Sequence, residues 1–268
     1  MMQGIPPVQS VSTALLETHL CDARHRTLEL LEGLDDQQLL GPKLPIVNPM
    51  IWEVGHVAWF HEHFILQRAY GAEPLSARAQ ANYDSIAVAH DKRWDLPLFS
   101  RQETLDYMSA VQDALLSRLK GDMADLTDSY LYQFTTFHED MHDEAFVWSR
   151  HTLEYPVPSF STAIDPGPPN DAHAGRLDGD VDVPGGEFLL GARGDSPFVF
   201  DNEKWCHPVN VTPFRIARAP VTNAQYAEFV DSGGYTRKEF WGAAGWAWRC
   251  ENDIQQPVLP AARLGWGH

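Results

Sequence analysis

Apolar residues recur at helical spacing in the first part of the chain, with Leu16, Leu20, Thr27, Leu31 and Leu34 as the clearest case. Four long helices are predicted there, at residues 12–34, 50–70, 101–119 and 125–155. The second is apolar around much of its circumference, which favours burial. Because no strand pattern lies between these segments, the sequence predicts a four-helix bundle.

Local signals place the ends of these helices and the loop between the second and the third. Gly71 is expected to stop the second helix, and Ser100 with Glu103 forms a capping box at the start of the third. Residues 72–100 between them are expected to be irregular. A loop of that length in a compact domain is more often functional than idle.

The pattern changes after residue 180 to short strands and turns. VPGGEFLLGA predicts one strand, and HPVNVTPFRIAR predicts two short runs around Pro213. PVTNAQYAEFVDSGGY predicts a short helix that begins at Thr222 or Asn223 and ends at Gly233 and Gly234. The predicted fold class is therefore α+β, with a helical bundle followed by a domain of strands and short helices.

Composition suggests where the domains begin and end. A segment rich in proline, glycine, aspartate and alanine separates the two patterns and is typical of a linker. The predicted division is a disordered N-terminus, a metal-binding bundle, a linker and a second domain, at residues 1–10, 11–155, 156–180 and 181–268.

Charge and cysteine content exclude several classes of protein. The net charge of −17 argues against a nucleic-acid partner, which needs clustered lysine and arginine. Neither a signal peptide nor an apolar run of the ~18 residues needed to span a membrane is seen. Three scattered cysteines fit a reducing, cytoplasmic location and exclude a cysteine-based zinc site.

The stretch FHEDMHDEAF, residues 137–146, carries the clearest chemistry. His138 and His142 are four residues apart on a predicted helix, so their imidazoles leave the same face. As H-E-x-x-H, the stretch would be a zinc-protease helix with Glu139 as general base. The extended protease motif places a third histidine where this chain has Trp148, which disfavours that interpretation and makes Glu139 a helix-surface residue.

A third ligand must come from another helix, and the second predicted helix offers three histidines. His56 lies in its most apolar part, where an unpartnered ring is costly, so it is either a metal ligand or a hydrogen-bonded core histidine. His61 and His63 flank Glu62 and are expected at the surface or behind the ligands, although either could replace His56. Such a set leaves coordination positions open, which suits zinc-bound water or ferrous iron.

Glu144 also belongs to the pattern but cannot bind the same ion as both histidines. It lies ~200° around the helix from His142, at ~100° per residue. It is expected either to orient a ligand on a neighbouring helix by hydrogen bonding or to form an ordinary salt bridge.

Together, WEVGHVAWFHEHF, HEDMHDE, VPGGEFLLG and PVTNAQYAEFV resemble the sulfoxide synthases of ergothioneine and ovothiol biosynthesis. That resemblance implies a DinB-like bundle joined to an α+β domain of the formylglycine-generating-enzyme, C-type-lectin-like kind. It implies non-heme iron(II) held by His56, His138 and His142, and oxygen as co-substrate. The implied reaction joins the sulfur of a thiol to the imidazole ring of histidine or trimethylhistidine, with a tyrosine of the second domain as proton donor.

Two departures question the substrate pair. The loop YDSIAVAHDKRWDLP resembles the branch of the family that makes selenoneine from a selenosugar, and only Lys92 and Arg93 supply cations there for substrate contact. Met141 stands where ergothioneine enzymes have a glutamine that contacts the amino-acid substrate, and a thioether cannot donate that hydrogen bond.

The end of the sequence, PVLPAARLGWGH, does not continue the family pattern and is expected to reflect a truncated or frame-shifted chain. The family tyrosine would then lie beyond residue 268. Two alternatives therefore stay open: a DinB-like thiol transferase that uses zinc or another divalent ion, and an inactive metal-binding remnant or partner-binding module.

Overall fold

A computed structural model of the chain describes residues 9–162, 178–196 and 198–257. The predicted disordered N-terminus, the predicted linker and the end that does not continue the family pattern lie largely outside the described residues. Within them, Ser10 donates a hydrogen bond to the carbonyl of Ala124, 2.6 Å away. None of the helices in these ranges is both long enough and apolar enough to span a membrane.

Six α-helices form the first part of the chain, and four of them pack as the predicted bundle. Their bounds are α1 Thr13–Leu31, α2 Asp36–Leu40, α3 Met50–His61, α4 Ala77–Asn82, α5 Arg101–Arg118 and α6 Leu126–Thr152. Helix α1 packs on α6, and α3 packs on both α5 and α6. The predicted capping box of α5 is confirmed, because Ser100 and Glu103 each accept a hydrogen bond from the backbone N–H of the other.

The second predicted helix changes its winding partway. Helix α3 ends at His61 and continues as a π-helix, Glu62–Ala69, which stops before Gly71 at φ +68°. Glu62, the first π-helical residue, is buried and accepts hydrogen bonds from Tyr107, from the Gln67 amide and from the backbone N–H of Leu75. Single-turn π segments inside helices are frequent at functional sites.

The segment between this helix and α5 is more ordered than expected. It contains α4 and a 3₁₀-helix, His90–Asp95, and Tyr83 between them is fully buried. The Asn82 side chain donates to the carbonyl of Pro97 at 2.9 Å, and the Tyr83 hydroxyl accepts from the backbone N–H of Phe99 at 3.2 Å. These bonds lie within the segment, and the carbonyls of Asn82 and Tyr83 hold it against α3 by accepting from Trp52 Nε1 and His56 Nδ1.

The second part of the chain has the predicted strands and short helices, which confirms the α+β class. Strand β1 (Asp180–Val183) pairs antiparallel with β4 (Phe214–Ala217), and β2 (Gly186–Leu190) pairs with β3 (His207–Val211). Strand β1 and the last helix, α8 (Ala243–Glu251), were not predicted. Thr222 caps helix α7 (Asn223–Asp231), as the sequence indicated.

By their contacts, the described residues divide into two compact units. The helical unit comprises residues 9–162 with 189–196 and 198–207. The second unit comprises residues 178–188 and 208–257.

Candidate metal centre

Three imidazoles from two helices meet in the helical unit. His56 comes from α3, and His138 and His142 come from consecutive turns of α6. One nitrogen of each ring lies within 4.8 Å of the corresponding nitrogens of the other two. The ring centroids are 4.6 Å apart for the α6 pair and 5.1 Å from His56 to each of them. The structure thus brings together the three histidines that the resemblance selected, and not His61 or His63.

The orientation of His56 depends on a carbonyl and on a glycine. Its Nδ1 donates to the carbonyl of Tyr83 over 2.7 Å, which leaves the Nε2 lone pair free for a metal. Tyr83 can lie this close because Gly55 has no side chain: a Cβ there would overlap the phenol ring, whose nearest three carbons lie within 2.8 Å. Fixing one ring nitrogen through a backbone carbonyl is how proteins commonly set the tautomer of a metal-binding histidine.

Two aromatic side chains of α3 hold the imidazoles in place. Trp52 stacks on His56 with the planes 6° apart and the centroids at 5.0 Å. Phe60 stacks on His138 with the planes 8° apart and the centroids at 3.6 Å. His56 is therefore fixed by packing as well as by hydrogen bonding, and His138 by packing, so little further ordering of these two rings is needed to bind an ion.

The environment keeps His56 and His138 neutral. Burial, followed by the nearby His142 ring, lowers the pKa of His56 to about 3. Burial and the two neighbouring imidazoles likewise hold the pKa of His138 far below its ordinary value. Neutral imidazole is the form that coordinates a metal. The Nδ1 atoms of His138 and His142 are also buried without a hydrogen-bond partner among the described residues.

Sequence reasoning did not find one carboxylate that lies beside the three histidines, that of Glu53. Glu53 is 3% exposed, and its Oε1 is 3.5 Å from Nδ1 of His142. The Asn48 side chain donates to the same oxygen at 2.7 Å. An acidic residue inside the apolar run WEVGHVAWF was the available signal, because a buried charge requires a partner. The backbone carbonyl of Tyr83 had no sequence signal.

Glu139 was expected on the helix surface, and that expectation is wrong. Its side chain is fully buried and accepts from Arg24 Nε at 2.8 Å, Thr27 Oγ1 at 2.9 Å and His61 Nε2 at 2.8 Å. Burial acts to raise the pKa of this carboxyl, but Arg24 and His61 outweigh it and hold the pKa well below the ordinary range. A carboxylate engaged by three donors is not placed to act as the general base of a protease.

His61 and His63, the other two histidines of the second predicted helix, do not belong to the three-histidine cluster. His61 is fully buried beside Glu139, so of the two places expected for it, at the surface or behind the ligands, the surface is excluded. His63 is half-buried and stacks on Trp59, with the centroids 4.7 Å apart.

The remaining predicted residues lie outside the cluster. Glu144 is exposed and has no hydrogen bond or ion pair within the described ranges, so the carboxylate beside the cluster is Glu53 instead. Met141 is half-exposed, next to His142 in the chain. Lys92 is exposed, with its ammonium 3.5 Å from Asp91.

Arg93 is turned inward. Its guanidinium carbon lies 3.8 Å from the centre of the Trp52 ring, and its Nη1 donates to the Asn48 side chain at 2.7 Å. Through these contacts it adjoins Trp52, which stacks on His56, and Asn48, which donates to Glu53.

Comparison with known proteins extends over nearly all of the chain. Residues 19–146 match the DinB superfamily, and residues 167–266 match the sulfatase-modifying factor enzyme 1-like domain. The chain is 34% identical over 262 residues to the hercynine oxygenase of Mycolicibacterium thermoresistibile, covering 95% of this chain and 57% of that protein. It is 31% identical over 264 residues to that of Mycolicibacterium smegmatis, covering 96% of this chain and 60% of that protein.

A shorter match links the second part to another group of enzymes. The formylglycine-generating enzyme of Streptomyces coelicolor is 38% identical over 79 residues, which is 30% of this chain and 24% of that protein. The chain spans less than two thirds of the length of each of these relatives. The predicted resemblance is nonetheless confirmed: this chain joins a DinB-superfamily domain to a sulfatase-modifying factor enzyme 1-like domain and is a homologue of hercynine oxygenases.

Proposed function

We propose that His56, His138 and His142 hold iron(II) in an oxygen-dependent enzyme that joins the sulfur of a thiol to the imidazole carbon of a histidine derivative such as trimethylhistidine. The observation that carries the proposal is the convergence of three imidazoles in a chain homologous to hercynine oxygenases. A set of three nitrogen ligands without a carboxylate suits iron, zinc, copper or nickel and leaves open positions for substrates.

The overall reaction balances without a further reductant. A ring C–H bond and a thiol S–H bond break, and one C–S bond forms. Dioxygen accepts four electrons: one oxygen atom becomes the sulfoxide oxygen, and the other leaves as water with the two hydrogens. Bound iron would supply the centre at which the thiol and oxygen meet. A selenium donor in place of the thiol is the alternative that the loop around Arg93 and the residue Met141 suggest.

The protein's own contribution is to position the imidazole rings and to exclude water from them. Tyr83 and Trp52 fix the ring of His56, and Phe60 fixes that of His138. Much of the rate advantage in such a reaction comes from holding the reacting groups in the required geometry. Free thiols at Cys21, Cys206 and Cys250 agree with the reducing, cytoplasmic location that we propose.

Metal content tests the proposal directly. The chain, purified without oxygen and reconstituted with iron(II), is expected to retain one iron per chain after desalting. Single changes of His56, His138 or His142 to Ala should each abolish tight binding, while His63→Ala should not. Retention of zinc but not iron would contradict the proposal, as would full iron occupancy in the His56→Ala protein.

Oxygen consumption separates the proposal from its main alternative. The iron-loaded protein with trimethylhistidine and cysteine or γ-glutamylcysteine should consume oxygen and form a product carrying a new C–S bond, detected by mass spectrometry. A DinB-like thiol transferase would transfer the thiol without oxygen and would work equally well under nitrogen. The second, sulfatase-modifying factor-like domain supports the oxygen-dependent reaction.

A further inference from the structure

We propose that Arg93 is a positioning residue of the metal centre and not a contact for the substrate: it fixes two of the three histidines through Trp52 and through Asn48 with Glu53. This inference rests on the proposed function, because it assumes that His56 and His142 bind a metal. Two independent chains of contacts lead from the guanidinium to the two rings.

The first chain runs through an aromatic ring. Trp52 has two ring contacts: the guanidinium of Arg93 lies 3.8 Å from its centroid, and the imidazole of His56 is stacked on it at 5.0 Å. The indole is 1% exposed, and its Nε1 donates to the carbonyl of Asn82 at 2.8 Å. A cation over the face of tryptophan is attracted by the ring quadrupole, more strongly where water is excluded. Arg93 therefore helps to fix the indole on which the imidazole of His56 is stacked.

The second chain runs through two hydrogen bonds and ends in a longer electrostatic contact. Nη1 of Arg93 donates to Oδ1 of Asn48 at 2.7 Å, and Nδ2 of Asn48 donates to Oε1 of Glu53 at 2.7 Å. That oxygen is 3.5 Å from Nδ1 of His142. The Asn48 amide thus accepts from Arg93 through its oxygen and donates to Glu53 through its nitrogen. The guanidinium therefore fixes the orientation of the amide, and the amide fixes the position of the carboxylate. Outer partners of this kind set the orientation and basicity of metal-binding histidines.

The charges agree with this assignment. Glu53 is nearly fully buried, and Arg93 is the cation whose charge faces it. Burial lowers the pKa of the Arg93 guanidinium, and Glu53 partly restores it. Without this cation, the buried carboxylate would keep the hydrogen bond from Asn48 but lose the positive charge that faces it.

The same contacts leave little of Arg93 for a substrate. Its Nη2 faces the carbonyls of Ser85 and Val88, each 3.5 Å away, and its Nε is buried. One face of the guanidinium is covered by the Trp52 ring. A cation that recognises a substrate carboxylate would present its paired N–H groups to open space, as Arg does in bidentate pairs.

Cobalt(II) binding tests the assignment, because the absorption of this ion reports both affinity and ligand geometry. The whole chain and its Arg93→Met and Arg93→Lys variants would be titrated with cobalt(II) alone. Arg93→Met should weaken binding by about tenfold and change the visible spectrum of the bound ion. Arg93→Lys, which keeps the charge but not the flat fork, should give an intermediate spectrum and an intermediate affinity.

Arg237→Met is the matched control. That guanidinium also lies over an aromatic ring, 4.3 Å from Phe240, and pairs with Glu239, but it contacts neither Trp52 nor Asn48 in the described structure. It should leave the cobalt affinity and spectrum unchanged. If Arg93→Met does not fold, Asn48→Leu breaks the second chain alone and should weaken binding and alter the spectrum in the same direction.

The outcomes separate this inference from the proposed function. If the wild-type chain binds no cobalt, the metal site itself is refuted. If it binds, and Arg93→Met binds with wild-type affinity and spectrum, Arg93 is not a positioning residue. A further comparison adds cysteine to the cobalt-loaded proteins. If Arg93→Met binds cobalt like the wild type and differs only in losing the spectral change caused by cysteine, Arg93 is a substrate contact and not a positioning residue.

Discussion

At the scale of single residues, the candidate site depends on the absence of a side chain. Gly55 precedes His56 in a buried helix, where glycine is otherwise about 1 kcal/mol worse than alanine. The ring of Tyr83 occupies the space that a Cβ would need, and the carbonyl of the same residue accepts from the imidazole. Glycine lowers the helix propensity at position 55, but it allows Tyr83 to approach His56 closely enough to accept its hydrogen bond.

The first prediction follows from this exchange. Gly55→Ala should lower the free energy of unfolding by about 1–3 kcal/mol, because the added methyl group overpacks the Tyr83 ring. In a Tyr83→Leu background the overlapping ring carbons are gone, and the same change should raise stability by up to about 1 kcal/mol. Urea denaturation of the four proteins of this cycle measures both effects.

A reversal of sign between the two backgrounds is the specific outcome expected. If Gly55→Ala costs the same with and without the Tyr83 ring, the glycine is not explained by that contact. Cobalt(II) affinity should fall in Gly55→Ala as well, since displacing Tyr83 moves the carbonyl that orients His56.

The residues of the site differ in how far sequence could predict them. His138 and His142 were accessible because helical spacing alone places them on one face, and the resemblance selected His56. Glu139 was misassigned because its burial depends on Arg24 in α1, more than a hundred positions away, and no local pattern reveals such a partner.

At the scale of helices, a buried ionic cluster ties the bundle together. Glu139 in α6 pairs with Arg24 and Thr27 of α1 and with His61 of α3, and Arg24 Nη1 also donates to the carbonyl of Met108 in α5. All four helices of the bundle therefore contribute to one buried cluster around Glu139 and Arg24. Because Glu139 directly follows His138, this cluster also fixes the turn of α6 that carries two of the three imidazoles.

The second prediction concerns this carboxylate. Glu139→Gln should destabilise the helical unit by about 3–5 kcal/mol, because it leaves the buried guanidinium of Arg24 without its counter-charge. Glu144→Gln on the same helix is the control, and its exposed side chain should change stability by less than about 0.5 kcal/mol. Equal effects of the two changes would mean that the cluster does not stabilise the bundle.

The same carboxylate predicts the direction of a pH effect. Its pKa is lower in the folded protein than the ordinary value of 4.5, so the unfolded chain takes up a proton first as the solution is acidified. The stability due to Glu139 is fully present above about pH 4.5 and is lost progressively below it. Denaturation curves between pH 6 and about pH 3 should show a smaller loss for Glu139→Gln than for the wild type.

The pairing of β1 with β4 leaves an apolar face in contact with solvent. Val181 lies opposite Ile216 and Val183 opposite Phe214, and the two residues of β4 are 56% and 44% exposed. The other face carries Arg215, which pairs with the aspartates of β1. An exposed apolar face of this kind promotes association.

The third prediction tests that face. Replacing Phe214 and Ile216 together by Lys should reduce binding of the dye ANS and reduce self-association at high protein concentration, measured by light scattering. Asn210→Lys adds a charge at an exposed polar position of β3 and should change neither. If the double variant binds as much dye as the wild type, the exposed apolar surface lies elsewhere.

For the whole molecule, the predictable features were those with local causes. The bundle, the capping box at Ser100 and the cap at Thr222 each follow from patterns within a few residues. The π-helical continuation of α3 did not, because the buried contacts of its first residue include Tyr107 of α5. The fold of the segment between α3 and α5 was missed for a similar reason, because its residues bond to groups on α3 as well as to one another.

The last prediction links the metal to the stability of the molecule. An ion that binds only the folded state adds about 2.7 kcal/mol to the free energy of unfolding at a concentration of 100 times Kd. For a unit of this size, the corresponding rise in Tm is about 5–10 °C. Cobalt(II) should therefore raise the thermal transition of the helical unit, followed by circular dichroism at 222 nm, whereas Mg²⁺, which prefers oxygen ligands, should not.

The histidine variants decide whether the shift comes from this site. His142→Ala removes one of the three imidazoles at a half-buried position of α6 and should bring the cobalt-dependent shift below about 1 °C, because two remaining rings bind weakly. His63→Ala keeps the cluster intact and should retain the full shift. A cobalt-dependent shift that survives in His142→Ala would place the binding site elsewhere in the chain, since the linkage requires the ion to be held by the folded three-histidine cluster.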